Sequence, residues 1–308
     1  MIKTLISTEL PINERYMIRK NIIQHGEGKH RVCIVTGTHG DELEGQMVCY
    51  LVARQLKEQL QYLDGTVEIY PALNPLGIDT IQRGIPNFDL DMNRIFPGDK
   101  NGTMAEQAAY TIVEDLKGAD LVIDVHSSNL YLRETPQVRI NVLNEKELVP
   151  LAQQLGVDFI WVHDAATVLE ATLAHSLNST GTKCLVVEMG VGERINHHMC
   201  LRLRDDIFHL MQEMGMWKGN VPTDQLMESK VCKGDKVEFL NAETSGVFIT
   251  ELRAGIMVKE SQEIGQIVEP LTGEILSRVV SPVDGYLFTI RAYPIVYEGS
   301  LMARIYHQ

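Results

Sequence analysis

The 308 residues are 44% hydrophobic and 22% charged, ordinary for a globular chain and enough for one large domain or two smaller ones. Lys+Arg 28 against Asp+Glu 41 leave a net charge of −13, which argues against nucleic acid or anionic membrane as the main partner but leaves anionic small substrates open. No stretch approaches the ~20 apolar residues of a membrane span, and the N-terminus lacks a signal-peptide pattern. Cys33, Cys49, Cys184, Cys200 and Cys232 are scattered without a C-x-x-C pair, which predicts buried free thiols in a cytoplasmic protein.

Residues 1–31 read as polar and irregular, with one strand near Tyr16–Ile23. Val32–Thr36 is apolar and β-branched, a buried strand. It runs into the glycine-bracketed turn Gly37-Thr38-His39-Gly40, where small residues allow a sharp bend and close backbone approach. Apolar residues at Met47, Val48, Leu51, Val52, Leu56 and Leu60 predict a helix from about Glu44 to Leu60. Thr66–Pro71 alternates as a strand, and Asn74-Pro75-Leu76-Gly77 breaks it. Residues 77–103 hold turn formers, aromatics and arginines, and a loop so long is expected to be functional.

Met104–Leu116 reads as helix, Asp120–Val125 as a buried strand ending at His126, Val138–Leu143 as strand, and Glu147–Leu155 as helix. Phe159–His163 is short and extended, and Ala165–Leu177 is expected to be helical. Lys183–Val187 is a strand running into Glu188, and a helix spans about Asn196 to Met214. This alternation predicts an α/β sheet with helices on both faces. Beyond Trp217–Pro222 the segments are short and extended between recurrent glycines, which predicts a small all-β unit. The expected division is residues 1–220 and 221–308.

Three strands end in polar groups: His39 and Glu42 after the first, His126 after the second and Glu188 after the third. Parallel strands of one sheet end on one edge, so these side chains are expected to converge where open α/β sheets bind ligands. H-x-x-E followed 84 positions later by a histidine supplies two imidazoles and a carboxylate, a catalytic zinc set with an open position. Glu188 suits proton transfer. In the long loop, Arg83, Asn93 and Arg94 offer charge for an oxyanion and for a substrate carboxylate. Taken singly, His39 also reads as a cap of the following helix, and the loop arginines as partners of Asp89 and Asp91. Asp124 reads equally as an orienter of a ligand imidazole or as a structural group. His163, His175 and His197-His198 fit no second chelate and read as surface or core histidines.

In order, Gly37-Thr38-His39-Gly40-Asp41-Glu42, Asn74-Pro75-Leu76-Gly77, Arg83, Asp91-Met92-Asn93-Arg94 with Phe96-Pro97-Gly98, Asp124-Val125-His126 and Val187-Glu188-Met189-Gly190 resemble the succinylglutamate desuccinylase/aspartoacylase family. This is a branch of the zinc carboxypeptidase-like hydrolases, and the resemblance covers roughly residues 30–200. It implies a mixed sheet of the zinc carboxypeptidase type and one zinc ion per chain on His39, Glu42 and His126. It also implies Glu188 as general acid/base, Arg83 as oxyanion stabiliser, and Asn93 and Arg94 as holders of a substrate carboxylate. The implied reaction is amide hydrolysis of a small N-acyl amino acid, with a carboxypeptidase acting on short peptides as the alternative and a non-catalytic binding module as the outlier. Homo-oligomerisation stays open.

The tail, Gly265-Gln266-Ile267-Val268-Glu269-Pro270-Leu271-Thr272-Gly273-Glu274 and Ser281-Pro282-Val283-Asp284-Gly285-Tyr286, resembles a lipoyl- or biotinyl-type barrel-sandwich hybrid. It lacks the Met-Lys or Asp-Lys turn of a carrier. The expected role is a wall over the active site or an oligomer contact, with Tyr286, Tyr293 and Tyr297 read as packing inside it and, as the alternative, one of them reaching the cleft.

Overall fold

A β-hairpin opens the chain: β1 (Ile2–Glu9) pairs antiparallel with β2 (Arg15–His25). The structure is a computed structural model that describes residues 1–86, 88–164, 170–222, 228–234 and 236–307. The expected irregular N-terminus is therefore corrected. β1 is at the sheet edge and mostly exposed on both faces, so it carries no apolar alternation to read, whereas β2 buries Tyr16, Ile18 and Lys20 in alternation.

β3 (Arg31–Thr36) and β4 (Gly65–Tyr70) flank α1 (Glu44–Glu58) in the chain and pair in parallel. Asn74-Pro75, expected only to break the chain, starts a short helix, α2 (Pro75–Thr80). The Asn74 side chain caps it by accepting from the Gly77 N–H at 3.0 Å, with proline at the first helical position where its missing N–H costs nothing. α3 (Met104–Leu116) begins in a reciprocal Thr103/Glu106 capping box and leads to β5 (Leu121–Ser127).

β6 (Leu132–Asn141) starts six residues before the expected Val138. Its ladder with the later strand shifts register between Glu134 and Gln137, and that irregularity accommodates Pro136. α4 (Glu145–Leu155) and β7 (Phe159–His163) follow. Of the helix expected over 165–177, residues 165–169 lie outside the described residues, and the regular helix, α5, is Leu173–Asn178. β8 (Cys184–Gly190) and α6 (His197–Glu213) complete this part.

The remaining elements are strands: β9 (Lys230–Lys233), β10 (Val237–Asn241), β11 (Gly246–Ile249), β12 (Ile256–Val258), β13 (Glu263–Glu269), β14 (Glu274–Val280), β15 (Gly285–Arg291), β16 (Ile295–Val296) and β17 (Leu301–Tyr306). The large mixed sheet runs β1-β2-β4-β3-β5-β8-β6-β15-β17-β10, with β7 joined to β6 and β9, and β12 to β15. Strand pairing thus crosses residue 220 at β6–β15 and β7–β9. A second sheet, β14-β13-β11-β16, shares a core with the late strands of the first through Phe248, Ile264, Ile267, Leu287, Ile290 and Ile305.

Helices cover both faces of the large sheet. Val48, Val52 and Leu56 of α1, Leu148 of α4 and Leu203 and Ile207 of α6 pack against Val32, Ile34, Ile123 and Leu185. On the opposite face, Ala105, Ala109 and Ile112 of α3 and Leu173 and Leu177 of α5 pack on Cys33, Val35, Val122 and Cys184. Double-sided burial explains why β3, β5 and β8 read as continuous apolar runs. All five cysteines are free and buried. Among the described residues no helix is long and apolar enough to cross a membrane.

Candidate metal and catalytic site

β3, β5 and β8 are consecutive parallel strands, so their carboxyl ends share one edge. His39 and Glu42 stand on the turn after β3, His126 is the penultimate residue of β5, and Glu188 lies near the end of β8. The turn after β3 is pinned from outside: the Gly40 N–H donates to the Gln82 carbonyl at 3.1 Å. A Cβ on Gly40 would lie 2.0 Å from the Gly77 carbonyl carbon, a backbone atom that cannot swing aside. The glycine between the two donor residues is therefore required by close packing against α2. The N-cap residue of α1 is Leu43, and it makes no side-chain cap hydrogen bond, so His39 is not that helix's cap.

His39, Glu42 and His126 are buried and converge. Nδ1 of His39 lies 2.7 Å from Glu42 Oε1, and Nδ1 of His126 lies 2.9 Å from Glu42 Oε2. One donor atom from each of the three falls within 4.8 Å of the others. The outer nitrogens face further carboxylates: His39 Nε2 is 3.0 Å from Asp91 Oδ1, and His126 Nε2 is 3.2 Å from Asp124 Oδ2. Each imidazole is thus bracketed by Glu42 on the inside and an outer carboxylate that fixes its orientation. The Ser127 N–H also donates to Glu42 Oε2 at 3.0 Å.

Burial alone would lower the pKa of His39 and of His126. Glu42 and Asp91 outweigh burial at His39, and Asp124 and Glu42 outweigh it at His126, so both are raised. Burial alone would raise Glu42, but the two imidazoles hold it well below the usual carboxylate range. A divalent cation fits this arrangement: two imidazoles and one carboxylate are a zinc donor set, and a cation held there would supply the positive charge that the surrounding carboxylates favour.

Glu188 is the register partner of His126 across β5–β8. Burial raises its carboxyl pKa above the usual value, with Arg139 and His126 pulling the other way. Arg83 is partly exposed; its Nη1 is 3.0 Å from Glu42 Oε1 and its Nε 3.4 Å from Asp91 Oδ2. Asn93 follows Asp91 in a short 3-10 turn, and its Oδ1 accepts from the Leu173 N–H at 3.0 Å. Arg94 Nη1 donates to the Asn93 carbonyl at 2.8 Å. Arg83 thus pairs with Asp91, one of the partners the sequence offered, and Asn93 and Arg94 also fix local structure, while all seven expected site residues line one cavity of about 490 Å³.

The cavity holds groups that the sequence did not single out. Arg139 on β6 lies 3.5 Å from Glu188 and donates to the buried Glu134, which also accepts from Arg304 of β17. The available signal was a charged pair on a strand otherwise destined for the interior. His163 and His175, set aside as surface or core histidines, line the cavity too, as does Tyr131, whose ring meets Tyr293 edge-on. Tyr286 is buried as expected, but Tyr293 and Tyr297 are exposed, which corrects the expectation that they pack inside the β unit.

Residues 29–214 match the succinylglutamate desuccinylase/aspartoacylase catalytic domain. The chain is 23% identical over 261 residues to the N-alpha-acetyl-L-2,4-diaminobutyric acid deacetylase of Halomonas elongata, covering 82% of this chain and 74% of that protein. Its fold resembles the product-bound ectoine utilization protein EutE (DoeB) of Ruegeria pomeroyi, with a TM-score of 0.82, 19% identity, and coverage of 98% of this chain and 93% of that one. It also resembles a succinylglutamate desuccinylase/aspartoacylase of Rhodobacter sphaeroides, with a TM-score of 0.81, 21% identity, and coverage of 99% and 96%. The matched domain takes in every residue of the converging site, and the chain belongs to the succinylglutamate desuccinylase/aspartoacylase family.

Proposed function

We propose that this chain is a zinc-dependent hydrolase of the amide bond in a small N-acyl amino acid. The observation that carries the reading is the approach of His39, Glu42 and His126 donor atoms to within 4.8 Å, beside Glu188, in a cavity also lined by Arg83, Asn93 and Arg94. His39, Glu42 and His126 would hold the ion. Zinc bound there supplies Lewis acidity and makes water a usable nucleophile near neutral pH.

The chain's own groups do the rest. Glu188, with its carboxyl pKa raised by burial, accepts the proton of the attacking water and returns it to the departing amine. Arg83 carries the partly exposed guanidinium closest to Glu42 and stabilises charge developing on the acyl oxygen. Arg94, with Asn93, holds the substrate carboxylate. Asp91 and Asp124 keep the two imidazoles oriented. Residues 221–308 we read as a lipoyl- or biotinyl-like β unit that walls the cavity, on the support of Arg304 in its lining.

The test is a hydrolysis screen of the zinc-loaded chain over N-acetyl, N-succinyl and N-formyl amino acids, with short peptides as competitors. N-acetyl-diaminobutyrate belongs in the panel because the Halomonas relative is named for it. Turnover of an N-acyl amino acid faster than of any peptide is expected. Faster peptide trimming would favour a carboxypeptidase, and no hydrolysis at all with metal bound would overturn the reading.

A further inference from the structure

Glu134 is 1% exposed, yet it is a carboxylate inside the sheet. It survives there because it is heavily bonded. Arg139 Nη2 donates to its Oε1 at 3.0 Å and its Oε2 at 2.8 Å. Arg304 Nη1 donates to Oε1 at 2.6 Å, and the buried Thr289 hydroxyl at 3.1 Å. These donors come from three strands, β6, β15 and β17, that the sheet places side by side. Both guanidinium groups also lie over the Trp161 ring, Arg139 at 5.9 Å and Arg304 at 5.6 Å from its centroid.

The far end of the Arg139 guanidinium faces the site: its Nη1 is 3.5 Å from Glu188 Oε1. Arg139 therefore sits between two carboxylates, one structural and one at the cavity. Glu134 and Arg139 are five residues apart on one strand, an odd offset that would put them on opposite faces of a regular strand. The register shift between Glu134 and Gln137 restores them to the same face. The last strand of the chain thus reaches the acid/base through three side chains in series.

We propose that Glu134, locked by Arg304 of β17, is a positioning residue that acts through Arg139 to hold the Glu188 carboxylate in place for proton transfer. The proposal rests on Glu188 being the acid/base and adds to it a task for the C-terminal strands beyond walling the cavity. Glu134 touches neither substrate nor metal in this scheme. Its removal should leave substrate binding and metal content alone.

The test is a double-mutant cycle on the zinc-loaded full chain with Glu134→Gln, Glu188→Ala and the pair, using the best substrate of the screen. Glu134→Gln should lower kcat by about tenfold or more with KM within about twofold and zinc content unchanged. Added to Glu188→Ala, it should cost almost nothing further, because its target is gone. Retained kcat in Glu134→Gln, or losses that multiply in the pair, would overturn the proposal. Should Glu134→Gln fail to fold, Arg304→Lys, which keeps the charge but loses the planar fork, takes its place in the same cycle. A crystal structure of the variant gives a readout independent of turnover: a displaced Glu188 side chain supports the proposal and an unmoved one overturns it. An inactive wild type would instead count against the deacylase reading and leave this structural readout standing.

Discussion

His126 and Glu188 face one another as register partners on the adjacent parallel strands β5 and β8. Neighbouring strands lie about 4.8 Å apart, so the sheet itself sets the distance between the imidazole proposed to hold the metal and the carboxyl proposed to move protons. The strands are buried on both faces and fixed by a ladder running from Val122↔Cys184 to Ser127↔Met189. Glu188 consequently rides on a rigid element, and its removal should not disturb His126 on the strand next door.

Glu188→Ala is therefore expected to keep zinc near one per chain while kcat falls by about 10²–10⁴-fold, the usual worth of a general acid/base. Elemental analysis alongside initial rates checks both halves. Full activity in this variant would remove Glu188 from the mechanism.

His126→Ala should behave in the opposite way and lose the metal. Glu42 would keep His39 but lose the second imidazole, and Asp124 would be left buried beside an empty position. Dialysis of the wild type against a chelator should abolish turnover, and zinc should restore it. The metal should also raise thermal stability by mass action, about 2.7 kcal/mol at a free concentration one hundred times the dissociation constant. Scanning calorimetry with and without zinc measures this, and a chelated protein that stays active would sink the metal assignment.

Much of this site was legible because the three strands that carry it are central. Val32–Thr36, Asp120–Val125 and Lys183–Val187 are mostly apolar and buried on both faces, and each is followed, directly or on the next turn, by an ionisable residue at the carboxyl edge of the sheet. Elements set by weaker local rules were not legible. β1 lies at the sheet edge and packs only Leu5 and Ile6 against the core; α2 starts with an Asn-Pro pair that spells a turn as readily as a helix; the first half of β6 contains Pro136 at a register break. For the Glu134–Arg139–Arg304 cluster the local signal, two charges on one strand, does not say that they meet: its members come together only through a bulge and through the pairing of β6 with β15 and β15 with β17, which are long-range facts.

Arg94 lines the cavity and makes one side-chain hydrogen bond among the described residues, to the Asn93 carbonyl. That leaves guanidinium N–H groups for a bidentate contact with a substrate carboxylate. A hydrogen bond to a charged group is worth about 1.5–3 kcal/mol, so Arg94→Ala should raise KM by about 10- to 100-fold with a smaller effect on kcat. Steady-state kinetics on an N-acyl amino acid and on its carboxamide separate the role from a structural one. The variant should lose its preference for the free acid, and an unchanged preference would assign the carboxylate to another group.

Asp206 gives the fold a pH dependence away from the site. It sits on α6, 2% exposed, and its Oδ2 is 3.9 Å from Arg202 Nε. Arg202 spends its closer contact, 2.5 Å, on Asp158. Burial pushes the Asp206 carboxyl up to about 8, Arg202 opposes the shift, and Asp158 and Asp205 reinforce it. The unfolded chain has an ordinary aspartate near ~3.9. Between these two values the folded state binds more protons than the unfolded one, so stability attributable to this group falls as pH rises from about 4 to about 8. Asp206→Asn removes the titration and keeps the shape. Urea denaturation of both proteins at pH 5 and pH 8 should therefore show the variant gaining on the wild type by at least ~1 kcal/mol at the higher pH. Because every other titrating group is common to the two chains, the same difference at both pH values would mean that Asp206 ionises in the folded protein as it does in water.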